Sequence, residues 1–203
     1  LGRQPLKWGS GFFWNPTDFI NKDRKEPLAV FDVRQGVDLL KVHLPLEALG
    51  WNFYGIADLE NSDTVDKVGG AVRAEFLYKE AELTLSAHLK KDRPKRFGAD
   101  LNFGFGWFDF KFENALSTSE NTIYYSGTFD PETNQFPAAK QRKDKAVIQS
   151  TAGMGISIPF LDEDSILLGT EYFYNEAGYE DSSLYPVLML NNSYIPMYNG
   201  KHY

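Results

Sequence analysis

The chain has 203 residues, 42% apolar and 15% aromatic, with 21 Lys+Arg against 28 Asp+Glu for a formal charge of -7 and no cysteine. This composition supports a folded core rather than a disordered chain, and the missing cysteines exclude disulfide frameworks, thiolate zinc sites and Fe–S clusters. An acidic pI near 5.0 excludes a general nucleic-acid binder, mean hydropathy is -0.40, and no run of roughly 18 apolar residues offers a membrane-spanning helix.

Period-two alternation dominates, in segments of about ten residues bounded by turn residues, which is the pattern of strands. A weak first strand over 2–9 precedes a long segment, 10–35. Residues 36–47 set Leu40, Val42, Leu44 and Leu46 against Leu39, Lys41, His43 and Pro45. In 51–59, Trp51, Phe53, Gly55 and Ala57 alternate with Asn52, Tyr54, Ile56 and Asp58. The next two segments, 71–79 and 82–90, place Val72, Ala74, Phe76, Leu83, Leu85 and Ala87 opposite Arg73, Glu75, Glu82, Thr84, Ser86 and His88. Segments 97–105 and 108–116 carry Leu101, Phe103, Phe108, Phe110 and Phe112 against Asp100, Asn102, Asp109, Lys111 and Glu113. Two more follow at 146–160 and 166–174, where Met154, Ile156, Leu168 and Tyr172 alternate with Gly153, Gly155, Gly169 and Glu171. That makes nine strands in all. The basic runs Lys90–Arg96 and Lys140–Lys145 read as loops.

Short connections near 48–50, 79–81, 105–107 and 161–165 alternate with long ones near 10–35, 61–69, 91–96, 118–145 and from 177 onward. Every strand thus has a short link at one end and a long link at the other. The fold class that follows is all-β: an antiparallel up-and-down transmembrane β-barrel, apolar outside and polar inside, with short turns on one rim and long loops on the other. Leu85, Ala87, Phe103, Phe110, Phe112 and Ile156 are expected to face outward. Trp51, Phe53, Phe76, Tyr78, Phe105, Trp107, Phe108 and Phe160 lie beside short turns, where an interfacial aromatic girdle would sit. The alternatives are a soluble β-barrel binding an apolar ligand, in which those aromatics cap a core, and a non-conducting structural barrel. Residues 1–203 form one barrel domain or, since 2–9 begins abruptly and the tail Tyr194–Tyr198 leads into no clear strand, part of a larger barrel. Otherwise the tail 186–203 is itself a tenth strand closing against 2–9.

The segment Gly2-Arg3-Gln4-Pro5-Leu6-Lys7-Trp8-Gly9-Ser10-Gly11-Phe12-Phe13-Trp14-Asn15-Pro16-Thr17-Asp18 resembles the G-R-Q-x(3)-W-G-x-G-x(3)-N-P-x-D stretch of porin-like Gram-negative outer-membrane barrels related to alginate-export channels. The resemblance implies a monomeric, many-stranded barrel that carries small or polymeric solutes across the bacterial outer membrane, by passive transport or export. It identifies no solute. Its partner is outer-membrane lipid, with no nucleic acid and no cofactor.

Candidate selectivity residues on the polar face are Lys41, Asp58, Arg73, Glu75, Lys79, Glu82, His88, Lys90, Asp100, Asp109, Lys111, Glu113 and Glu171, because rings of charge decide what enters a pore. They serve equally as ion pairs filling a closed interior. The segment 10–35 carries Phe12, Phe13, Trp14, Asp18, Lys22 and Arg24, an aromatic and charged set suited to fold into the lumen as a constriction, with Thr17 or Asp18 capping a short helical turn through Lys22. No enzyme is expected. A set drawn from Ser86, His88 and Glu75 is an ordinary grouping on a charged sheet, and the acidic turn Asp162-Glu163-Asp164 lacks the ligand spacing of a calcium loop. No metal site is expected. The glycines of Gly104-Phe105-Gly106 and Gly153-Met154-Gly155 read as aids to strand curvature.

Overall fold

The structure, a computed structural model, describes residues 2–21, 36–120, 123–128, 130, 132–133, 135, 138–141, 145–160, 164–180, 184 and 201. Its strands are β1 (Gly2–Gln4), β2 (Val37–Leu46), β3 (Trp51–Asp58), β4 (Gly69–Tyr78), β5 (Ala81–Leu89), β6 (Lys95–Phe105), β7 (Phe108–Glu120), β8 (Ile123–Ser126), β9 (Ala138–Gln141), β10 (Lys145–Phe160) and β11 (Asp164–Asn175). Nine of them form one antiparallel sheet in the order β1-β2-β3-β4-β5-β6-β7-β10-β11, and β8 pairs with β9 as a separate hairpin. The sheet is an up-and-down meander whose only departure from chain order is that hairpin. Among the described residues it does not close on itself: β1 and β11 are its two ends.

Tight links require particular backbone conformations. The β4–β5 and β6–β7 connections are two-residue turns, Lys79-Glu80 and Gly106-Trp107, whose first residues have φ of 55° and 63°. A positive φ at that position suits the right-handed twist of the flanking strands. The β2–β3 link is a 3-10 turn, Glu47–Leu49, closed by Gly50 at φ 66°.

Five expectations are corrected. The first strand stops at Gln4 rather than reaching residue 9, because Pro5 cannot donate to the ladder and the chain turns away. Lys79 sits in a turn with its ammonium 5.5 Å from the Tyr78 ring, not on a strand face. Lys95 and Arg96 belong to β6 rather than to a loop, and Lys140 and Lys145 belong to β9 and β10. Much of 118–145 is strand: β7 continues to Glu120, and β8 and β9 follow. Among the described residues, which end at Asn21 here, no helical turn follows Thr17 or Asp18; Asp18 N–H instead closes a turn on the Asn15 carbonyl at 3.2 Å.

The two faces of the sheet are chemically opposite. One presents Val42, Leu44, Val72, Leu85, Phe97 and Leu168 to solvent, with Val42 63% exposed and Leu85 46%. On this face Trp51 meets Phe76 edge-on at 5.2 Å, while Tyr78, Phe105 and Trp107 lie exposed at the short-turn rim. Polar side chains on it include Thr170 and the pair in which Ser150 donates to Asn114 at 2.7 Å across β10 and β7. The other face buries Asp58, Thr84, Ser86, His88, Asp100, Glu113 and Thr151. The apolar core lies on that polar face, near the long-loop rim, where Trp8, Phe19 and Ile20 pack against Val37, Leu39, Ile56, Ala71 and Ala115. Residues 5–21 are thus a strap laid across the charged side of the sheet.

A strap anchored on buried carboxylates

Cross-strand register builds the surface beneath the strap. One row runs Glu75, Thr84, Asp100, Glu113, Thr151, Phe173 from β4 to β11, and the adjacent row runs Glu82, Asn102, Lys111, Gly153, Glu171 from β5 to β11. Period-two alternation turns all of these side chains to the polar face.

The strap is fastened mainly through its backbone. Glu113, fully buried, accepts the N–H groups of Ser10 and Gly11, the N–H of Thr17 at 3.4 Å and the Thr17 hydroxyl at 2.9 Å. Glu171 accepts the N–H groups of Phe12 at 2.5 Å, Phe13 at 3.3 Å and Trp14 at 2.9 Å. A short irregular segment has no ladder to satisfy its amides, so two carboxylates take that role with charge-assisted bonds.

Side chains supply the fit. Trp14 stacks on Phe173 with centroids 5.6 Å apart and planes at 6°. The Phe12 ring lies 4.2 Å from the Lys111 ammonium. That ring also occupies the space side chains would fill at Gly153 and Gly155, where a Cβ would stand 3.0 Å and 2.9 Å from it. At Gly98 a Cβ would stand 3.0 Å from Thr17 and 3.2 Å from Phe19. The guanidinium of Arg73 lies 5.6 Å from the Trp8 ring, and Arg96 donates to the Phe19 carbonyl at 3.3 Å.

The remaining candidate residues divide by position. Asp58, His88 and Lys90 form a buried group at the long-loop rim, with His88 and Lys90 each 3.1 Å from the Asp58 carboxylate. Arg73 pairs with Glu75 at 2.7 Å, and Tyr54 donates to Glu75 at 3.2 Å. His88 is therefore engaged with Asp58, not drawn into a set with Ser86 and Glu75. Asp100 is 1% exposed and stands 3.9 Å from Arg73, with no hydrogen-bond partner for either carboxylate oxygen among the described residues. Toward the short turns, Glu82 is half-buried and Asp109 is exposed; Lys41, in the cross-strand row of Ile56, Ala71 and His88, is exposed with its ammonium 5.9 Å from the Tyr54 ring. Asp18 is bound by the Asn21 side chain at 2.7 Å. Lys22, Arg24, Asp162, Glu163 and His202 lie outside the described residues. Among the described residues no cluster of three His or acidic side chains could hold a metal, and no helix is long and apolar enough to cross a membrane.

Sequence pattern alone does not mark Trp8, Ser10, Gly11, Thr17, Gly98 and Phe173 as parts of this site. Phe173 carried the clearest signal, an apolar residue on the polar parity of its strand. Leu39, Ile56 and Ala115 break phase in the same way, and all four are buried. Comparison with protein-family models, with curated proteins and with solved structures gives no match.

Proposed function

We propose that this chain forms wall of a porin-like channel in the bacterial outer membrane, with residues 5–21 folded into the lumen as a constriction. The observation that carries the proposal is the inversion of the two faces: Leu, Val and Phe side chains stand exposed while carboxylates, hydroxyls and a histidine are buried. A soluble barrel packs its apolar face inward and solvates its charges, whereas a barrel in lipid does the opposite. Short turns confined to one rim, aromatic side chains at that rim and the N-terminal motif support the same assignment. Outer-membrane lipid is then the partner of the apolar face. The reading involves no cofactor and no catalytic step.

The depth at which the strap fills the polar face favours one rival, a non-conducting structural barrel. Reconstitution of the full-length protein into planar lipid bilayers separates the two. Stepwise single-channel currents are expected. A protein that folds only in detergent or lipid yet passes no current is the structural barrel. A protein that folds and remains monomeric in detergent-free buffer overturns the membrane assignment altogether.

A further inference from the structure

We infer that the wall beneath the strap is the solute-recognition band of the channel, taking organic cations whose N–H-rich head adjoins a flat apolar group. The inference rests on the channel assignment and adds the sign and chemistry of the solute.

Charge comes first. Two adjacent cross-strand rows hold five carboxylates, Glu75, Glu82, Asp100, Glu113 and Glu171, and one cation, Lys111. Arg73, in the next row, is bonded to Glu75. The strap does not neutralise this band, because residues 8–17 contain no ionisable side chain. It meets Glu113 and Glu171 with main-chain N–H groups, which satisfy hydrogen bonding without bringing a cation to the band.

A second observation concerns unsatisfied atoms in the same rows, one of them on a hydroxyl outside the acid count. Asp100 and Thr84 are each 1% exposed, and the Asp100 carboxylate oxygens and the Thr84 hydroxyl lack hydrogen-bond partners among the described residues. Buried polar atoms of this kind call for a bound group; the nearest cation, Arg73, stands 3.9 Å from Asp100, beyond hydrogen-bond distance, with its Nη1 equally without a partner among the described residues. Shape adds the rest. The missing side chains of Gly153 and Gly155 leave a notch that receives the flat Phe12 ring, directly beside Glu171 and its N–H donors. The docked strap thus occupies the wall as a tethered, uncharged likeness of the solute: N–H groups on carboxylates and a ring in the notch.

Reversal potentials of the reconstituted full-length protein under a KCl gradient test the sign. Cation preference is expected. Glu113→Gln, Glu171→Gln and Asp100→Asn should each reduce the cation-to-anion permeability ratio by up to about tenfold, because a unit charge roughly 6 Å from the permeating ion in water is worth about threefold and acts with opposite sign on the cation and the anion. Each Glu→Gln change removes the charge and turns one acceptor oxygen into an NH2 donor facing the strap amides, so circular dichroism in detergent verifies that each variant is folded and amide exchange at residues 10–14 verifies that the strap stays docked. Phenylalaninamide, a cation with an aromatic ring, should block the current at lower concentration than phenylacetate, and Gly155→Leu should weaken that block. Anion preference, or a ratio indifferent to all three carboxylate substitutions, overturns the inference while leaving the channel standing. Equal block by the two probes likewise overturns the assigned solute class. A folded protein that passes no current overturns the channel and the inference together.

Discussion

Glu113 shows how little an isolated residue reveals of its work. In sequence it is one polar-face charge among thirteen candidates. In the fold it holds three main-chain N–H groups of the strap and the Thr17 hydroxyl. Nothing local distinguishes it from Asp109 four residues earlier, because its role depends on a segment about a hundred positions away. Glu113→Ala leaves those donors buried without an acceptor, at about 1–3 kcal/mol for each group left unsatisfied. Amide exchange at Ser10 and Gly11 should accelerate strongly, while exchange in the middle of β5 stays slow. Unchanged protection at Ser10 and Gly11 would mean that packing alone holds the strap. The wall glycines are equally mute in sequence, where they read as curvature. Gly155→Val sets a Cβ 2.9 Å from Phe12, and overpacking of this kind costs typically 1–3 kcal/mol. Gly104, on the same face, is the control: its Cβ would meet only Asp109 at 3.8 Å. Gly155→Val is expected to loosen the strap and raise single-channel conductance, and Gly104→Val to do neither. Equal effects from both would place the cause in strand distortion rather than in the notch.

Strands were far more legible than the strap because their signal repeats. Each of β2 to β7 carries several turns of the alternation, so a single misfit such as Pro45, at the penultimate position of β2, does not obscure it. β1 has too few residues to show a period, and the sequence pattern alone does not mark its end at Gln4. The ends of β6 and β7 were misplaced for another reason. Lys95, Arg96 and Thr118 lie where strands rise past the apolar band, and their polar side chains resemble loop composition although the ladder continues. Alternation also locates the lipid-facing centre. Phe112 lies on the apolar parity in a row with Leu83, Leu101 and Ala152, well inside the aromatic rim marked by Tyr78 and Trp107. If that row is near the bilayer midplane, Phe112→Arg destabilises the folded protein by about 2–4 kcal/mol, and Tyr78→Arg at the rim by about 0–1 kcal/mol. Folding titrations in lipid vesicles measure both. Equal, small losses would count against a depth-dependent environment on this face.

At the scale of the whole molecule, a bilayer demands that the sheet close, whereas among the described residues no strand pairs beyond β1 or β11. An unpaired N–H or C=O costs several kcal/mol in hydrocarbon, so a sheet in lipid must close. The edge beyond β11 is the longer of the two, since β11 has 12 residues and β1 only 3. The direction of its amides follows from two hydrogen bonds at its upper end: Glu176 N–H donates to Ile148 of β10 at 3.0 Å, whereas Asn175 N–H points the other way, to the Lys201 carbonyl at 2.9 Å. The β10–β11 register is unbroken from Gln149↔Asn175 to Phe160↔Asp164. Alternation therefore sends the N–H groups of Phe173, Glu171, Gly169 and Leu167 to the same outer edge as that of Asn175, while Tyr174, Tyr172, Thr170 and Leu168 donate toward β10. The bond to Lys201 marks where a further strand would start down that edge. Hydrogen exchange of the full-length protein in lipid vesicles reads the two sets separately. Closure into a barrel requires both sets to be slow, because every amide of β11 then has a partner. Fast exchange confined to Phe173, Glu171, Gly169 and Leu167 would show an edge open to water, and a wall with a water-exposed edge cannot lie in the hydrocarbon of a membrane.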